Sequence, residues 1–477
     1  MSAQSWSSEQ EVERLFALQH APENLQRLKD SPARDRIERI RRIERYLLDP
    51  AHMRAWTDAL NADLGRSPEE SKVIELLPLL AACREVYSNL RDWMSDEAGS
   101  APLAMAGIRA WTHYEPKGHV LAIAPWNYPL QLALVPVIYA IAAGNAVLLK
   151  PSELSSRTSA FLREMIAELF DERDVAVVEG DASTATALLA RPFHHIFFTG
   201  SPAVGRVVMR AAATHLASVT LELGGKSPVV VDRSYSITSA ARKVAWGKCM
   251  NAGQTCIAPD YVLVPAERMD AFVEAYRQAL RGLYDQDGKG IRSSPDYGRM
   301  INARNHARVQ ALIDDAVAQG ARLAIAGDSV PEERYMAPQL LVGVTPQMAI
   351  MREEIFGPVL PVMAYEDIEE APALINSLDR PLTMYILSHH RGRTRYLVNT
   401  TTAGTTAINE LMVTSANPRV PFGGVNGSGT GKSNGRHGFI AFSNERAMQR
   451  RVWGSLAPLR PPFKPFFVRL AMRLARW

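Results

Sequence analysis

The sequence predicts an α/β protein: a doubly wound, mostly parallel sheet joined to a second α/β unit. Three observations carry that expectation. From about Val120, short apolar runs at 120–124, 146–149, 175–178, 195–198 and 219–223 alternate with helix-length segments that include 129–143, 156–170 and 202–214. Strands joined by crossover helices give this alternation. A second alternating stretch begins near Ser227 and continues to about Thr405. The length, 477 residues, allows two or three domains and a large core.

The first hundred residues read as helices. Ser8-Glu9-Gln10-Glu11 has the capping-box form, and Ser31-Pro32 places an N-cap before a first-turn proline. Ile37, Ile40, Ile43, Tyr46 and Leu47 recur at helical spacing, and a long polar helix is expected at 51–64. Between Lys117 and Lys150 lie 32 residues without Asp, Glu, Lys or Arg. Pro125, Pro129, Pro136, Asn127, Gln131 and Asn145 break this run well short of the roughly 20 apolar residues a membrane span needs. A buried strand–helix–strand accounts for it. The last eighteen residues, 460–477, differ: five basic side chains, no acid, and Phe467, Leu470, Ala471, Leu474 and Trp477 on one helical face opposite Arg469, Arg473 and Arg476. That tail is basic and amphipathic, suited to packing on a partner subunit or to weak contact with anionic lipid.

Composition excludes several classes. Hydrophobic residues are 47% and charged residues 22%, with 30 Gly and 30 Pro, so collagen-like and largely disordered chains are ruled out. A net charge of +4 gives no field for nucleic acid. Three cysteines make no disulfide framework, and the N-terminus lacks a secretory signal, so a cytoplasmic, reducing location is expected.

Four places can hold chemistry. Phe198-Thr199-Gly200-Ser201-Pro202-Ala203-Val204-Gly205 follows a strand and opens a helix. It is either a pyrophosphate cradle or an ordinary strand–helix turn, since G-x-G-x-x-G is missing. Lys150-Pro151-Ser152-Glu153 ends another strand, where a Lys and a Glu can bind ribose hydroxyls or simply pair in solvent. Glu222 ends the run 219–223 before Gly224-Gly225; a buried acid needs a partner or a raised pKa, and the raised pKa suits a general base. The bland alternative is an ion pair to Lys226. Cys256 closes the polar turn Asn251-Ala252-Gly253-Gln254-Thr255, the setting of a reactive thiol. Cys83, amid Leu80-Ala81-Ala82, reads as packing, and Cys249 fits either role. No His/Cys cluster has zinc spacing, so no metal is expected.

Taken together, Pro125-Trp126-Asn127-Tyr128-Pro129, Lys150-Pro151-Ser152-Glu153, Glu222-Leu223-Gly224-Gly225-Lys226-Ser227-Pro228, Gly253-Gln254-Thr255-Cys256 and Glu353-Glu354-Ile355-Phe356-Gly357-Pro358 resemble the aldehyde dehydrogenase superfamily, in its order. Gln254-Thr255-Cys256-Ile257-Ala258-Pro259-Asp260-Tyr261 and Pro421-Phe422-Gly423-Gly424-Val425 resemble its class 3 branch, that of fatty-aldehyde and coniferyl-aldehyde dehydrogenases.

The resemblance implies Cys256 as nucleophile, Glu222 as general base, and Asn127 with the Cys256 N–H as oxyanion hole. It implies cofactor contacts at Trp126, Lys150, Ser152, Glu153, Gly200, Ser201, Pro202, Ala203, Val204, Gly205, Leu223, Glu354 and Phe356. The cofactor would be NAD, with NADP also accepted, and the substrate a hydrophobic aldehyde, aromatic or aliphatic. The domains implied are 1–102 with 116–222 for the nucleotide, 223–405 for catalysis, and 103–115 with 406–450 as a small β element joining a homodimer. Ile408-Asn409-Glu410 and Asn426-Gly427 depart from the family's Asn-Asn-Asp and Gly-Asn, near the substrate entrance or the oligomer-forming strand. Two rivals use the same residues: a thiol esterase or acyl transferase, which needs no ribose contacts, and a non-catalytic scaffold, which has no need to keep Cys256 and Glu222.

Overall fold

The computed structural model describes residues 6–475. Arg476 and Trp477, placed by the sequence on the tail helix, lie outside the described residues.

The first five predicted strands form one sheet. In spatial order it runs Gly429–Thr430, Ser218–Leu223, His195–Gly200, His119–Ile123, Ala146–Lys150, Val175–Val177, and only the Gly429–Thr430 edge is antiparallel. From His119–Ile123 the chain builds outward through Ala146–Lys150 to Val175–Val177, then returns to the other side at His195–Gly200. The strand order therefore reverses beside His119–Ile123. Such a reversal opens a crevice at the carboxyl ends of the strands.

The charge-free stretch is explained by the helix Gln131–Ala143. Ten of its residues are buried, because it packs on the sheet and also under Ala33–Leu48, Leu77–Trp93 and Gly435–Ala441. A helix covered on all sides has no face for charge.

The second stretch forms a seven-stranded sheet in the order Arg322–Ile325, Gln339–Val342, Val359–Tyr365, Tyr261–Pro265, Pro228–Val231, Thr383–Leu387, Thr405–Ile408. It is parallel except at its Arg322–Ile325 edge. A third, antiparallel sheet joins Glu97–Gly99, Ile108–Pro116 and Ser443–Arg451. The strands after residue 405 thus go to three different sheets.

Local signals at the N-terminus divide. Ser8 caps the helix Glu9–His20 by accepting from the Glu11 N–H at 3.1 Å. Ser31 does not cap. Its hydroxyl donates to the Leu28 carbonyl and accepts from Arg36 Nε at 3.0 Å, and the helix Ala33–Leu48 begins one residue later than expected, with Pro32 at the cap. The buried Arg36 guanidinium competes for the serine.

The tail forms the helix Pro465–Leu474, which packs mainly on the short turns Leu103–Met105 and Ala457–Leu459. None of its residues is buried, and Phe466, Leu470 and Met472 are exposed. No helix among the described residues is long and apolar enough to cross a membrane.

Candidate active site

A cavity of about 570 Å³ opens where the carboxyl ends of the two large sheets meet. The turn after His119–Ile123 supplies Trp126 and Asn127, the start of the helix Pro202–His215 supplies Gly200 to Ala203, and the end of Ser218–Leu223 supplies Glu222 and Leu223. Cys256 comes from the turn before Tyr261–Pro265, and Glu354 and Phe356 from the link before Val359–Tyr365. Residues more than 200 positions apart in sequence share one wall.

The cysteine turn is held rigidly. Asn251, Ala252 and Gly253 all take positive φ (51°, 51° and 75°), and a Cβ on Gly253 would lie 2.2 Å from the Gly357 carbonyl oxygen, so only glycine fits there. Gln254 is buried; its amide donates to the Asn251 and Arg299 carbonyls and accepts from the Ile301 N–H at 2.8 Å. Asn127 Nδ2 donates to the Gln254 carbonyl at 3.1 Å, and Asn251 Nδ2 donates to both the Asn127 and Gln254 carbonyls. Arg66 completes the clamp: it donates to Asn251 Oδ1 and to the Asn127 carbonyl, and pairs with Glu75 at 2.7 Å, all fully buried. The Asn127 loop and the Cys256 turn are therefore one unit.

Electrostatics at the centre favour the neutral groups. Burial, with the carboxyls of Glu354 and Glu222 behind it, pushes the Cys256 thiol well above its ordinary range, opposed by the N–H groups of Cys256 and Ile257. Burial pushes Glu222 up to about 7, against the pull of the Ser433 hydroxyl and the Lys432 charge. Ser433 Oγ donates to Glu222 Oε1 at 2.8 Å, whereas Glu222 Oε2 is buried without a hydrogen-bond partner. Glu222 is not ion-paired to Lys226, whose ammonium pairs with Asp260 and donates to the Ile350 and Glu353 carbonyls.

The other end of the cavity fits a dinucleotide. Ser201 caps the 14-residue helix by accepting from the Val204 N–H, and the first turn, with Arg206, faces the cavity. Pro202 has no N–H and Ser201 takes those of Val204 and Gly205, so the Ala203 N–H and the Arg206 guanidinium are the groups left that suit a pyrophosphate. Gly205 does not line the cavity; a Cβ there would lie 2.7 Å from Leu223 Cδ2, so it lets the helix sit close on the strand. Val204 is exposed and off the cavity wall.

Glu354 is half-buried, and desolvation with the nearby Asp260 pushes its carboxyl up to about 8. Any Cβ on Gly224 would fall 1.9 Å from its Oε2, so the glycine makes room for the carboxyl. Arg308 holds the Glu354 and Ile355 carbonyls from behind. The ring of Phe356 (φ 48°) meets that of Trp126 edge-on at 5.3 Å.

Lys150, Ser152 and Glu153 stand apart from the cavity wall. Lys150 is buried at the end of its strand, donates to the Pro151 carbonyl at 2.9 Å and lies 3.4 Å from Glu153 Oε2. Ser152 Oγ accepts from the Leu154 N–H, capping a short turn. Of the departing residues, Gly427 lines the cavity itself, and the Asn426 amide oxygen accepts from Arg380. That puts this departure at the cavity rather than at an oligomer-forming strand. Asn409 bridges the Ser388 backbone in both directions, and Glu410 pairs with Lys243. Cys83 and Cys249 are both buried in packed core.

Sequence reasoning missed Arg66, Glu75, Arg206, Arg308, Lys432 and Ser433. Arg206 alone had a local signal, one turn into the helix that follows the glycine turn. The others act across long sequence separations.

The chain matches the aldehyde dehydrogenase family over residues 4–448. It is 39% identical to the rat dimeric NADP-preferring aldehyde dehydrogenase, over 86% of this chain and 89% of that protein. It is also 39% identical to mouse aldehyde dehydrogenase family 3 member B3, over 95% of this chain and 94% of the relative. The substrate-bound structure of a Staphylococcus aureus AldH superposes with a TM-score of 0.90 at 36% identity, covering 97% of this chain and 99% of that one. The chain belongs to the aldehyde dehydrogenase family, in its class 3-like branch, and is an NAD(P)+-dependent aldehyde dehydrogenase.

Proposed function

We propose that the enzyme oxidises a hydrophobic aldehyde to the acid through a thioester on Cys256, with Glu222 as general base. The observation that carries this is the shared wall: the Cys256 thiol and the carboxyl of Glu222, one oxygen unpartnered, line the same cavity beside the Asn127 amide. The Cys256 thiol first gives its proton to solvent; attack of the resulting thiolate on the aldehyde carbon then forms a C–S bond and an oxyanion. The Cys256 N–H and the Asn127 amide, through the hydrogen it does not give to the Gln254 carbonyl, would stabilise that oxyanion. When bound, the nicotinamide accepts the hydride whose loss leaves a thioester on Cys256. Glu222 then takes a proton from water as the water adds to the thioester carbon; the C–S bond breaks, and the acid and the Cys256 thiolate are released.

Gly200 to Ala203 with Arg206 would hold the pyrophosphate, Glu354 the nicotinamide ribose, and Trp126, Leu223 and Phe356 the nicotinamide. Lys150, Ser152 and Glu153 would meet the adenosine ribose from outside the wall, which tilts use toward NAD+ over NADP+, because the Glu153 carboxylate repels a 2′-phosphate. Behind Cys256 and Glu222 lies a smaller space of about 50 Å³ walled by Leu132, Val135, Pro136, Phe197, Leu382 and Phe422. Those walls support an aromatic aldehyde of the coniferyl type or a medium- to long-chain aliphatic one.

Residues 1–102 with 116–222 would form the nucleotide-binding domain, 223–405 the catalytic domain, and 103–115 with 406–450 the bridging element. The nine-residue edge strand Ser443–Arg451 supports a homodimer, since an open edge invites a second copy. Exposed Phe463, Phe466, Leu470 and Met472 beside Arg469 and Arg473 support weak peripheral contact of the tail with anionic membrane.

The test is absorbance at 340 nm with an aldehyde panel and NAD+ or NADP+. Cys256→Ala is expected to abolish turnover and leave binding of oxidised cofactor intact. Full activity in that variant would refute the nucleophile, and hydrolysis of esters with no reduction of either cofactor would favour the esterase.

A further inference from the structure

We infer that Ser433 is the positioning residue of the general base: its hydroxyl holds Oε1 of Glu222 and leaves Oε2 as the atom that takes the proton from water. The inference rests on the reading of Glu222 as the base.

Ser433 is itself fixed. It forms an isolated antiparallel bridge with Phe422, its N–H donating to the Phe422 carbonyl at 2.7 Å and its carbonyl accepting from the Phe422 N–H at 3.0 Å. The backbone therefore sets the hydroxyl before any ligand arrives. A serine hydroxyl has one hydrogen, and two acceptors lie near it: Glu222 Oε1 at 2.8 Å and the Phe422 carbonyl oxygen at 3.4 Å. The shorter contact is to the carboxyl, and a bond to a charged acceptor is the stronger kind. Glu222 has no other hydrogen-bond donor among the described residues. With Oε1 occupied, Oε2 is the oxygen left without a partner and so the one available to bind a water beside Cys256.

The remaining neighbours do not substitute for the serine. Lys432, next in the chain, spends its ammonium on the carbonyls of Gly404, Gly423 and Gly424, so it acts on Glu222 through its charge alone. Cys256 faces the carboxyl from the catalytic turn, and Glu354 lies beyond it. His195, on the adjacent strand, is bonded to Thr220 and Ser218, toward the other end of the Glu222 strand. Gln131 and Leu132, on the helix across the small apolar space, carry no charge. Removing the hydroxyl thus removes a directed bond that favours the charged form of Glu222.

The test reads the hydrolysis step by itself. The enzyme is mixed with NAD+ and substoichiometric benzaldehyde or hexanal, whichever it turns over faster. Loss of the acyl mass from Cys256 is then followed from pH 5.5 to 9. Ser433→Ala is expected to move the rising limb of the rate upward by about one pH unit. That is about tenfold slower hydrolysis below the limb, with rates converging above it. Ser433→Thr keeps the hydroxyl and is expected to restore the wild-type limb. An equal loss at every pH, an unmoved profile, or a Thr variant that behaves as Ala would overturn the inference. Glu222→Gln is run alongside. If it keeps the wild-type limb, the general-base reading fails and this inference with it; if it flattens the limb while Ser433→Ala leaves it in place, the Ser433 role alone fails.

Discussion

Glu75 and Glu222 are both buried carboxylates within reach of the same site, yet their surroundings are opposite. Glu75 Oε1 pairs with Arg66 at 2.7 Å, and its Oε2 accepts from the Leu130 and Gln131 N–H groups. Burial pushes Glu75 up, and Arg66 with those N–H groups pulls it back. Glu222 has a single serine hydroxyl on one oxygen and nothing on the other. A completely partnered carboxylate is a clamp. A carboxylate left half-satisfied is held ready to exchange a proton, at some expense in stability.

The largest expected effect sharpens the contrast. Glu222→Gln keeps the shape and removes the proposed base, so steady-state NADH formation should fall by about 10²–10⁴-fold; wild-type turnover across neutral pH would refute that role. Next comes Glu75→Gln. It leaves the Arg66 guanidinium buried without its counter-ion, and denaturant unfolding should show a loss of about 3–5 kcal/mol. A neutral result would mean that Glu75 is no clamp.

Smaller, and opposite in sign, is the effect of Glu222→Gln on stability. A folded pKa of about 7 against the ordinary 4.5 means that wild type loses stability as pH rises through that window, because the folded state must then hold a buried charge. The glutamine variant avoids this, so it should be about 1–3 kcal/mol more stable than wild type at pH 8 and no more stable at pH 4.5. Melting curves at the two pH values decide it. The smallest effect concerns a third carboxylate, the half-exposed Glu153. Glu153→Gln should improve NADP+ use relative to NAD+ severalfold, and an unchanged ratio would remove Glu153 from the cofactor contacts.

What could be read in the sequence followed local rules. Alternation of apolar runs located five of the six strands of the first sheet to within a residue or two, because period and length are local properties, and missed the two-residue edge Gly429–Thr430. The position of Glu222 at the end of a strand before Gly224-Gly225 already pointed to a buried acid, and the polar turn already separated Cys256 from Cys83. Ser31 misled, since the arginine that takes its hydroxyl is buried by tertiary packing that no window of residues shows. Ser433 lies 211 positions from Glu222, and Arg66 lies 185 from Asn251. Contacts of that range come from closing the fold around two sheets, not from spacing. The strands from Thr405 onward went to separate sheets for the same reason: their partners, Thr383–Leu387, Ser218–Leu223 and Ile108–Pro116, are brought to them by the closed fold.

If Glu222 frees the acyl group from Cys256, mass spectrometry of the acid-quenched Glu222→Gln variant will show that group trapped. During turnover with aldehyde and NAD+, the acyl mass is predicted to accumulate to near one per chain on the peptide that carries Cys256. Turnover without any adduct on that peptide, or an adduct on Cys83 or Cys249 instead, would contradict it.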